Sequence, residues 1–488
     1  MQQFALQCAH VNRTSEQLPY RMDHVQARGL LDLLRFYGPR SVLRQATAYF
    51  GPGGGLPCYA GHGSYFDYDH VLRNLTGRSG FESAVGRAVQ GGGKGHSLFG
   101  AFASTLGELV ERVVGSLQGV AVAAGRSRLG SCRDLRREGL ACTGPDVVSL
   151  FAPEQYEGPA RLFDAFTEDS MLRWIAGRRL FSGEPVWVPA QLVLLHYERD
   201  PREAMIGYST SGGLACHVTP HDARYGGIIE LFERDAMNVS WYCRIAPRRI
   251  DFDRPPRLPA LRKLLRAADG LPATLRFHVI PLDTPELPTV TVMSIDDWLR
   301  RYAYSVGSAA DLDIDAAVLA ALTEYGQSER NLRLTVAAPD WNFSRALRRA
   351  FDAGPDADPR ELDAFFKVLP YYGHANNVEK VRWYADGADA VRLSELSVCE
   401  GEARNAKWTT LTELLAARGI DPVVFDFTPP QFDGLSLVKV FIPELTQPMA
   451  PALPLLGHPR FHDLPRTLGY AARRLEFRDL NTDPLPYP

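Results

Sequence analysis

Hydrophobic spacing along the chain switches between a repeat of about 3.6 residues, which predicts helices, and short apolar or alternating runs, which predict strands. Helical spacing occurs over residues 25–36, 168–178, 316–329 and 411–418. Runs rich in Val and Leu predict strands at residues 186–189, 191–197, 274–281, 289–294, 422–427 and 435–442. Helices and strands alternate without a strict parallel rhythm, so the fold class is predicted to be α/β of the mixed α+β kind, with mixed sheets flanked by helices.

Two further helices are predicted from a repeated acidic signature. The segments Ser104-Thr-Leu-Gly-Glu-Leu-Val-Glu-Arg112 and Gly226-Gly-Ile-Ile-Glu-Leu-Phe-Glu-Arg234 each carry two glutamates three residues apart, followed directly by an arginine. Residues at i and i+3 share one face of a helix, so Glu108 with Glu111, and Glu230 with Glu233, project together. Each segment follows a loop that contains glycine and Ser or Thr.

A single such pair is compatible with an ordinary solvated helix face. Two copies set among Leu, Val, Ile and Phe favour another interpretation, because burying unpaired carboxylates is costly and four clustered carboxylates repel. Magnesium prefers oxygen ligands and substrate phosphates. We therefore predict that Glu108, Glu111, Glu230 and Glu233 are metal ligands, with Arg112 and Arg234 directed at a neighbouring anion.

The loop at residues 91–95, Gly-Gly-Gly-Lys94-Gly, precedes the first acidic helix. It lacks the spacing of a P-loop, and a glycine-rich turn with a solvated lysine is the plain alternative. Its position before Ser104 and Glu108 favours phosphate binding at the start of a helix.

Composition limits the class of protein. The chain has 488 residues, a net charge of −3, 45% hydrophobic residues and seven scattered cysteines without zinc-like spacing. These values indicate a folded protein of a reducing cytoplasm with no nucleic-acid or membrane partner, and no signal peptide or membrane span is recognisable. We predict an N-terminal cap segment at residues 1–85, a catalytic region at 86–450 and a proline-rich tail at 451–488.

The tail ends Asp483-Pro-Leu-Pro-Tyr-Pro488. Proline fixes φ, so this segment is predicted to be extended and stiff, with little conformational entropy left to lose. A frayed terminus and a ligand for a polyproline-binding domain are the alternatives.

Taken together, these residues resemble the YcaO family, and within it the azoline-forming cyclodehydratases that modify ribosomal peptides. The resemblance runs from about residue 91 to 488. Its landmarks are Gly93-Lys94-Gly95, Ser104, Glu108, Glu111, Arg112, Thr210-Ser211, Gly213-Leu214-Ala215, Glu230, Glu233, Arg234, Asp235, Ala321-Leu322-Thr323-Glu324, Gln327, Phe427-Thr428, Val440-Phe-Ile-Pro443 and Pro484-x-Pro486-x-Pro488. His217 resembles the microcin-type branch. Departures occur at His217, Val218, Lys439 and Glu444, where the family often has Gly, Asn, Arg and Gly.

The resemblance implies a YcaO-type fold with a nucleotide site between its sheets and helices, and ATP and Mg2+ as cofactors. It implies that a Cys, Ser or Thr of a precursor peptide attacks the preceding amide carbonyl, whose oxygen ATP phosphorylates before phosphate leaves. Nucleotide contacts are expected at Lys94, Ser104, Arg112, Ser211, Arg234, Glu324, Gln327 and Lys439, and a catalytic role at Pro484, Pro486 and Pro488, with the terminal carboxylate as proton acceptor.

Residues 1–85 do not resemble a leader-peptide recognition element, so the family implies a leader-binding or ubiquitin-activating-enzyme-like partner. It also implies a flavin-dependent azoline dehydrogenase and a homo- or hetero-oligomer. Two alternatives remain open: thioamide or amidine formation by the same activation of an amide oxygen, against which the proline tail argues, and a non-catalytic peptide-binding scaffold.

Overall fold

The fold is taken from a computed structural model that describes residues 24–38, 41, 43–50, 56, 58–65, 90–95, 97–123, 127–195, 197–267, 274–342, 344–345, 348, 353–354, 356–362, 365–399 and 404–488. Its α-helices are α1 His24–Leu34, α2 Leu98–Ala123, α3 Cys132–Arg137, α4 Pro153–Tyr156, α5 Pro220–Tyr242, α6 Pro259–Ala267, α7 Ile314–Ala337, α8 Val368–Gly373, α9 Val378–Asp386, α10 Arg404–Ala417 and α11 Pro459–Thr467. None of the helices in these residues has the length and hydrophobicity to cross a membrane.

The strands form three sheets. Sheet I consists of β1 Leu43–Phe50, β2 Tyr59–Tyr65, β3 Gln90–Gly91 and β4 Lys94–Gly95. Its strand order is β1-β2-β3, and β4 also pairs with β2. Sheet II consists of β5 Ser127–Gly130, β6 Leu172–Arg179, β7 Pro185–Pro189, β8 Leu214–His217, β14 Val423–Asp426 and β15 Ser436–Phe441. Its strand order is β5-β6-β14-β15-β8, and β7 also pairs with β6. Sheet III consists of β9 Arg248–Asp251, β10 Arg276–Ile280, β11 Thr289–Ile295, β12 Tyr304–Ala310 and β13 Ala390–Arg392. Its strand order is β12-β11-β10-β9-β13. The mixed α/β class is thereby confirmed.

Three long helices join the sheets. α2 packs on sheet I and on β8, α5 packs on β8 and β15 of sheet II and on β12 of sheet III, and α7 packs on β11, β12 and β4. Side-chain caps fix where two of them begin: Thr219 accepts the Asp222 amide at 3.1 Å before α5, and Asp313 accepts the Asp315 amide at 2.9 Å before α7. α5 therefore lies between sheets II and III, with α2 beside it.

The predicted N-terminal segment is tied to the rest of the chain by β-pairing and by α1. β2 pairs antiparallel with β3 and β4, which lie beyond residue 85. Asp32 of α1, a helix predicted at residues 25–36, accepts the backbone amides of Asp433 and Gly434 at 2.9 and 2.8 Å. The stretch Gly51-Pro-Gly-Gly-Gly-Leu-Pro57, whose composition predicts a loop, lies outside the described residues except for Leu56.

The helix predicted at residues 168–178 is wrong, because this stretch contains strand β6. Several of its residues favour helices in isolation, but β5, β7 and β14 all pair with it. Trp174 is buried and donates from Nε1 to the Gly130 carbonyl at 2.9 Å. Tertiary pairing thus overrides local propensity here.

The strand predicted at residues 191–197 is also wrong. Residues Ala190–Leu192 form a 3-10 turn, in which the Gln191 amide donates to Ala204 O at 2.7 Å and accepts from Ile206 N at 3.1 Å. His196 lies outside the described residues. The loop with glycine and Ser or Thr that is expected before the second acidic helix spans residues 207–215, and it ends in strand β8, which separates it from α5. The remaining predicted helices and strands are confirmed, with shifted ends.

The proline segment, residues 481–488, is buried rather than frayed. Leu485 and Tyr487 are 4% and 1% exposed. The carbonyls of Asp483, Pro484 and Pro486 accept hydrogen bonds from Trp241 Nε1 at 2.8 Å, from the Tyr372 hydroxyl and from Tyr304 Oη at 3.1 Å. Aromatic donors from α5, α8 and β12 therefore fix this segment against sheet III.

His278 gives the folded protein a pH dependence. It is buried in β10, and burial lowers its pKa from the usual 6.5 to about 4. Between those values the unfolded chain binds a proton that the folded protein does not, so stability falls as the pH falls. We expect acidification from about pH 7.5 to 5 to cost roughly 2 kcal/mol through this ring.

Urea denaturation at both pH values measures this effect. His278→Gln should show a smaller pH-dependent loss than the parent protein. His24→Gln, at an exposed position in α1, is the control and should leave the loss unchanged. An equal loss in the parent protein and in His278→Gln would show that another group carries the pH dependence.

Candidate active site

The first acidic pair lies on α2, where it faces β8. The Glu111 carboxylate accepts the Cys216 amide at 2.9 Å. Glu108, one turn earlier, pairs with Arg112 at 2.9 Å, and the two side chains are 32% and 33% exposed. Ser104 lies a further turn back on the same face and is exposed. The predicted helix face therefore exists and opens to solvent at its Ser104 end.

The second acidic pair lies on α5 and reaches two different sheets. Glu230 accepts the Gly213 amide at 3.0 Å, immediately before β8, and lies 3.7 Å from Arg234. Glu233 accepts from the Ser308 hydroxyl of β12 at 2.5 Å. The pair thus links sheet II to sheet III.

The pKa shifts of these carboxylates indicate that the two pairs interact with each other. Burial, and then the charges of Glu230 and Glu108, raise the pKa of Glu111 well above its usual range. Burial also raises the pKa of Glu233, against the neighbouring Arg234, and Glu324 raises it further. Both predicted pairs therefore share one acidic cleft, to which α7 adds Glu324.

Arg234 lies among these acids. Burial alone would lower the pKa of its guanidinium, but the carboxylates of Glu233, Glu230 and Glu324 raise it. Arg112 likewise lowers the pKa of Glu111. The two predicted arginines thus offset the acidic charge.

Lys439 of β15 is a buried cation behind the cleft, 3% exposed. Its ammonium donates to the Thr210 and Gly212 carbonyls at 2.7 and 2.6 Å. Burial lowers its pKa to about 8, while the carboxylates of Glu230 and Glu111 oppose that shift. Lys439 therefore holds the loop that contains Ser211 and that offers the Gly213 amide to Glu230.

The glycine loop packs directly on α2. A Cβ added at Gly93 would meet the Thr105 backbone nitrogen at 2.2 Å, and one at Gly95 would meet the Ala101 nitrogen at 2.7 Å. The Gly93 amide donates to Thr105 Oγ1 at 3.0 Å. These glycines are required because the loop approaches the helix too closely for any side chain.

This close approach presents Lys94 to α7. Lys94 Nζ hydrogen bonds and forms an ion pair with Glu324, and the two side chains are 33% and 23% exposed. Gln327, one turn further, lies beside Gly92, where an added Cβ would meet its Nε2 at 2.6 Å. Lys94, Glu324 and Gln327 are thereby brought together at the edge of the cleft.

Of the three predicted prolines, Pro484 accepts from Tyr372 of α8 and Pro486 accepts from Tyr304 of sheet III. Tyr487, between two of them, donates to Thr291 Oγ1 at 3.0 Å, and Thr291 is paired in register with Ser308, which binds Glu233. The proline segment is thus one strand away from the acidic cleft.

Sequence reasoning missed several contributors. Ser308 sits in a strand of small residues without any signal of chemistry, and the amides of Gly213 and Cys216 have no side-chain signature. Thr105 lies between recognised residues, but only its contact with Gly93 indicates a role.

The cleft fits magnesium and a triphosphate in its chemistry. Carboxylate oxygens are the ligands that magnesium prefers, and Arg112, Arg234 and Lys94 supply cations for phosphates. Within the described part of the chain, no three acidic, His or Cys side chains already converge at metal-binding geometry. Magnesium binding would therefore need side-chain rotations, from ion pairs whose side chains are 23–33% exposed.

Comparison with known proteins gives the family. Residues 92–446 match the model of the YcaO cyclodehydratase family, described as ATP- and Mg2+-binding, which confirms the predicted cofactors. An uncharacterised protein of Methanothermobacter thermautotrophicus is 26% identical over 309 residues, covering 62% of this chain and 70% of that protein.

Solved structures share the fold. A heterocyclase in complex with substrate and cofactor is 18% identical, with a TM-score of 0.68 over 98% of this chain, which spans 60% of that protein's length. The YcaO protein of Methanopyrus kandleri bound with AMPPCP and Mg2+ is 17% identical, with a TM-score of 0.53 over 87% of this chain and 90% of that one.

The E. coli microcin synthetase McbBCD complex with pro-MccB17 bound is 13% identical to this chain, with a TM-score of 0.55 over 90% of this chain and 96% of that one. These three likenesses concern the fold, whereas the family model matches the stretch that carries both acidic helices and Glu324. The chain belongs to the YcaO cyclodehydratase family.

Proposed function

We propose that this protein is an ATP- and Mg2+-dependent cyclodehydratase that converts Cys, Ser or Thr residues of a precursor peptide into thiazolines or oxazolines. The main support is the cleft in which two Glu-x-x-Glu-Arg helices of a YcaO protein bring four carboxylates and two guanidiniums together. Such a cleft suits a reaction in which charge on a transferred phosphoryl group must be neutralised.

The residues divide by their chemistry. Glu108, Glu111, Glu230 and Glu233 would hold magnesium, which when bound neutralises phosphate charge. Phosphate contacts are assigned to Lys94, Arg112 and Arg234. Ser104, Ser211, Glu324 and Gln327 surround the nucleotide, and Lys439 supports the Ser211 loop from behind.

The reaction balances as follows. The substrate thiol or hydroxyl gives up its proton to water and adds to the preceding carbonyl carbon. The resulting oxyanion takes the γ-phosphoryl group of ATP, and ADP is released. Loss of the amide N–H proton and of phosphate then forms the C=N bond of the ring. The arginines and Lys94 orient the phosphoryl donor, so catalysis rests on positioning and on charge.

The domain organisation and the partners are part of the proposal. Residues 86–450 form the catalytic region, residues 1–85 a cap, and residues 451–488 a tail that shapes the peptide site. A leader-binding partner chain and a flavin-dependent dehydrogenase, in the cytoplasm, complete the pathway to azoles. The E. coli complex of related fold, which contains a bound pro-peptide, supports a multi-protein assembly.

Removing one carboxylate of either pair should abolish catalysis. Glu108→Gln and Glu233→Gln remove negative charge without changing side-chain length, so peptide-dependent ATP turnover should fall by about 100-fold or more. Turnover is measured as ADP release at saturating Mg2+, and chelation by EDTA should have the same effect on the parent protein.

Glu379→Gln is the matched control, because that side chain is 69% exposed and pairs with Arg382 of its own helix, α9. Its turnover should equal that of the parent. Undiminished turnover in Glu108→Gln and Glu233→Gln would contradict the metal assignment.

Removing residues 486–488 should stop ring formation while ATP binding at saturating Mg2+ stays nearly unchanged, since the segment contacts sheet III and the predicted phosphate contacts lie on α2, α5 and β4. Mass spectrometry of the peptide gives the result, because each ring lowers the mass by about 18 Da. Persistent dehydration by the shortened protein would contradict the role of the tail.

A product of higher mass, from the parent protein with a sulfide donor, would instead identify thioamide formation.

A further inference from the structure

One hydroxyl group connects the proline segment to the acidic cleft. Tyr487 is 1% exposed, and its hydroxyl lies 3.0 Å from Thr291 Oγ1 and 3.2 Å from Tyr384 Oη. Tyr384 Oη in turn lies 3.0 Å from the Ser240 hydroxyl of α5, which donates to the Ile245 carbonyl at 2.6 Å. A buried phenol with two partners is fixed in direction.

The register of sheet III carries this contact towards Glu233. Thr291 of β11 and Ser308 of β12 are directly opposite in an antiparallel pair, so their side chains lie on the same face, with Cβ atoms about 5 Å apart. Ser308 donates to Glu233 at 2.5 Å. The opposite face of these strands packs on α7, through Val290, Val292 and Ala309.

Thr291 and Ser308 are 0% and 2% exposed. Water does not reach this row freely, so a change in the hydroxyl direction at one position has few alternative partners at the next. Packing alone would not require the hydroxyls, since Val in place of Thr and Ala in place of Ser fill similar space.

We propose that Tyr487 is a positioning residue for the proposed reaction. Its hydroxyl registers the proline segment on the Thr291–Ser308 row, and the same row orients the Glu233 carboxylate. The position of the segment and the use of Glu233 by Mg2+ are therefore coupled. This inference rests on the proposed function for its catalytic meaning, but the coupling itself is measurable without any peptide product.

Two measurements follow the two ends of the row. Hydrogen–deuterium exchange of the peptide spanning residues 480–488 reports how firmly the segment is held. Equilibrium dialysis with labelled ATP measures the Mg2+ concentration at which ATP binding is half-maximal. This concentration reports the Glu233 end of the row. Neither readout requires ring formation.

Tyr487→Phe should accelerate exchange in the segment and raise the half-maximal Mg2+ concentration by about two- to tenfold, the range expected for loss of one buried hydrogen bond. Ser308→Ala should do the same from the other end, although it does not touch the segment. In the double variant, the free-energy change calculated from the half-maximal Mg2+ concentration should be smaller than the sum of the changes in the two single variants, because coupled residues do not act independently.

Tyr372→Phe is the matched control. It removes the hydroxyl that binds the Pro484 carbonyl and leaves the Thr291–Ser308 row intact. Exchange in the segment should accelerate, while the Mg2+ dependence stays at the parent value.

The proposal is overturned if Tyr487→Phe loosens the segment without moving the Mg2+ dependence, or if Tyr372→Phe moves it equally. A folded Tyr487→Phe protein is verified by its urea midpoint. If the parent protein together with its leader-binding partner forms no ring but the coupling is present, the proposed function fails while the positioning role stands.

Discussion

Repulsion between carboxylates is the constraint on which the rest of the structure depends. α2 and α5 each bring two glutamates to one half-buried cleft, and α7 adds Glu324, so the raised pKa values of Glu111 and Glu233 follow from burial and from like charge. The offsetting groups come from many parts of the chain. The Cys216 amide, the Gly213 amide and the Ser308 hydroxyl each bind one carboxylate. The cleft therefore forms only when sheets II and III are both assembled around α5.

The opposite side of α5 is fixed equally firmly. Asp235, directly after Arg234, accepts from Arg460 of α11 at 2.6 Å and from the Thr446 amide at 2.8 Å, and Arg460 also binds Asp283 at 2.8 Å. Buried ion pairs of this kind contribute little net stability but are costly to break. Their effect here is orientation, since a rotation of α5 that moved Glu230 and Glu233 out of the cleft would leave Asp235 buried and unpaired.

The sequence predicted what is local and missed what is distant. The i, i+3 spacing of the glutamates places them on a shared helix face. The spacing of hydrophobic residues along the chain predicted α7, β11 and β15. The partners of those glutamates could not be read, because Cys216 is 105 residues from Glu111 and Ser308 is 75 residues from Glu233. The two wrong elements both depend on partners outside their own segment. β6 is a strand because three strands pair with it, and Gln191 lies in a turn because its amide binds the loop at residues 204–206.

The proline segment shows how a sequence with few donors becomes a defined surface. Proline has a carbonyl but no N–H, so a segment with alternating prolines does not pair as a regular strand. Its carbonyls therefore need donors from outside a sheet ladder. Trp241, Tyr372 and Tyr304 supply the missing donors from side chains. Because the segment is already stiff, fixing it costs little entropy, and a few aromatic hydrogen bonds suffice to hold it in one register. A stiff segment held in one register beside the Ser308 strand transmits its position to the acidic cleft, which a flexible terminus of the same length would not do.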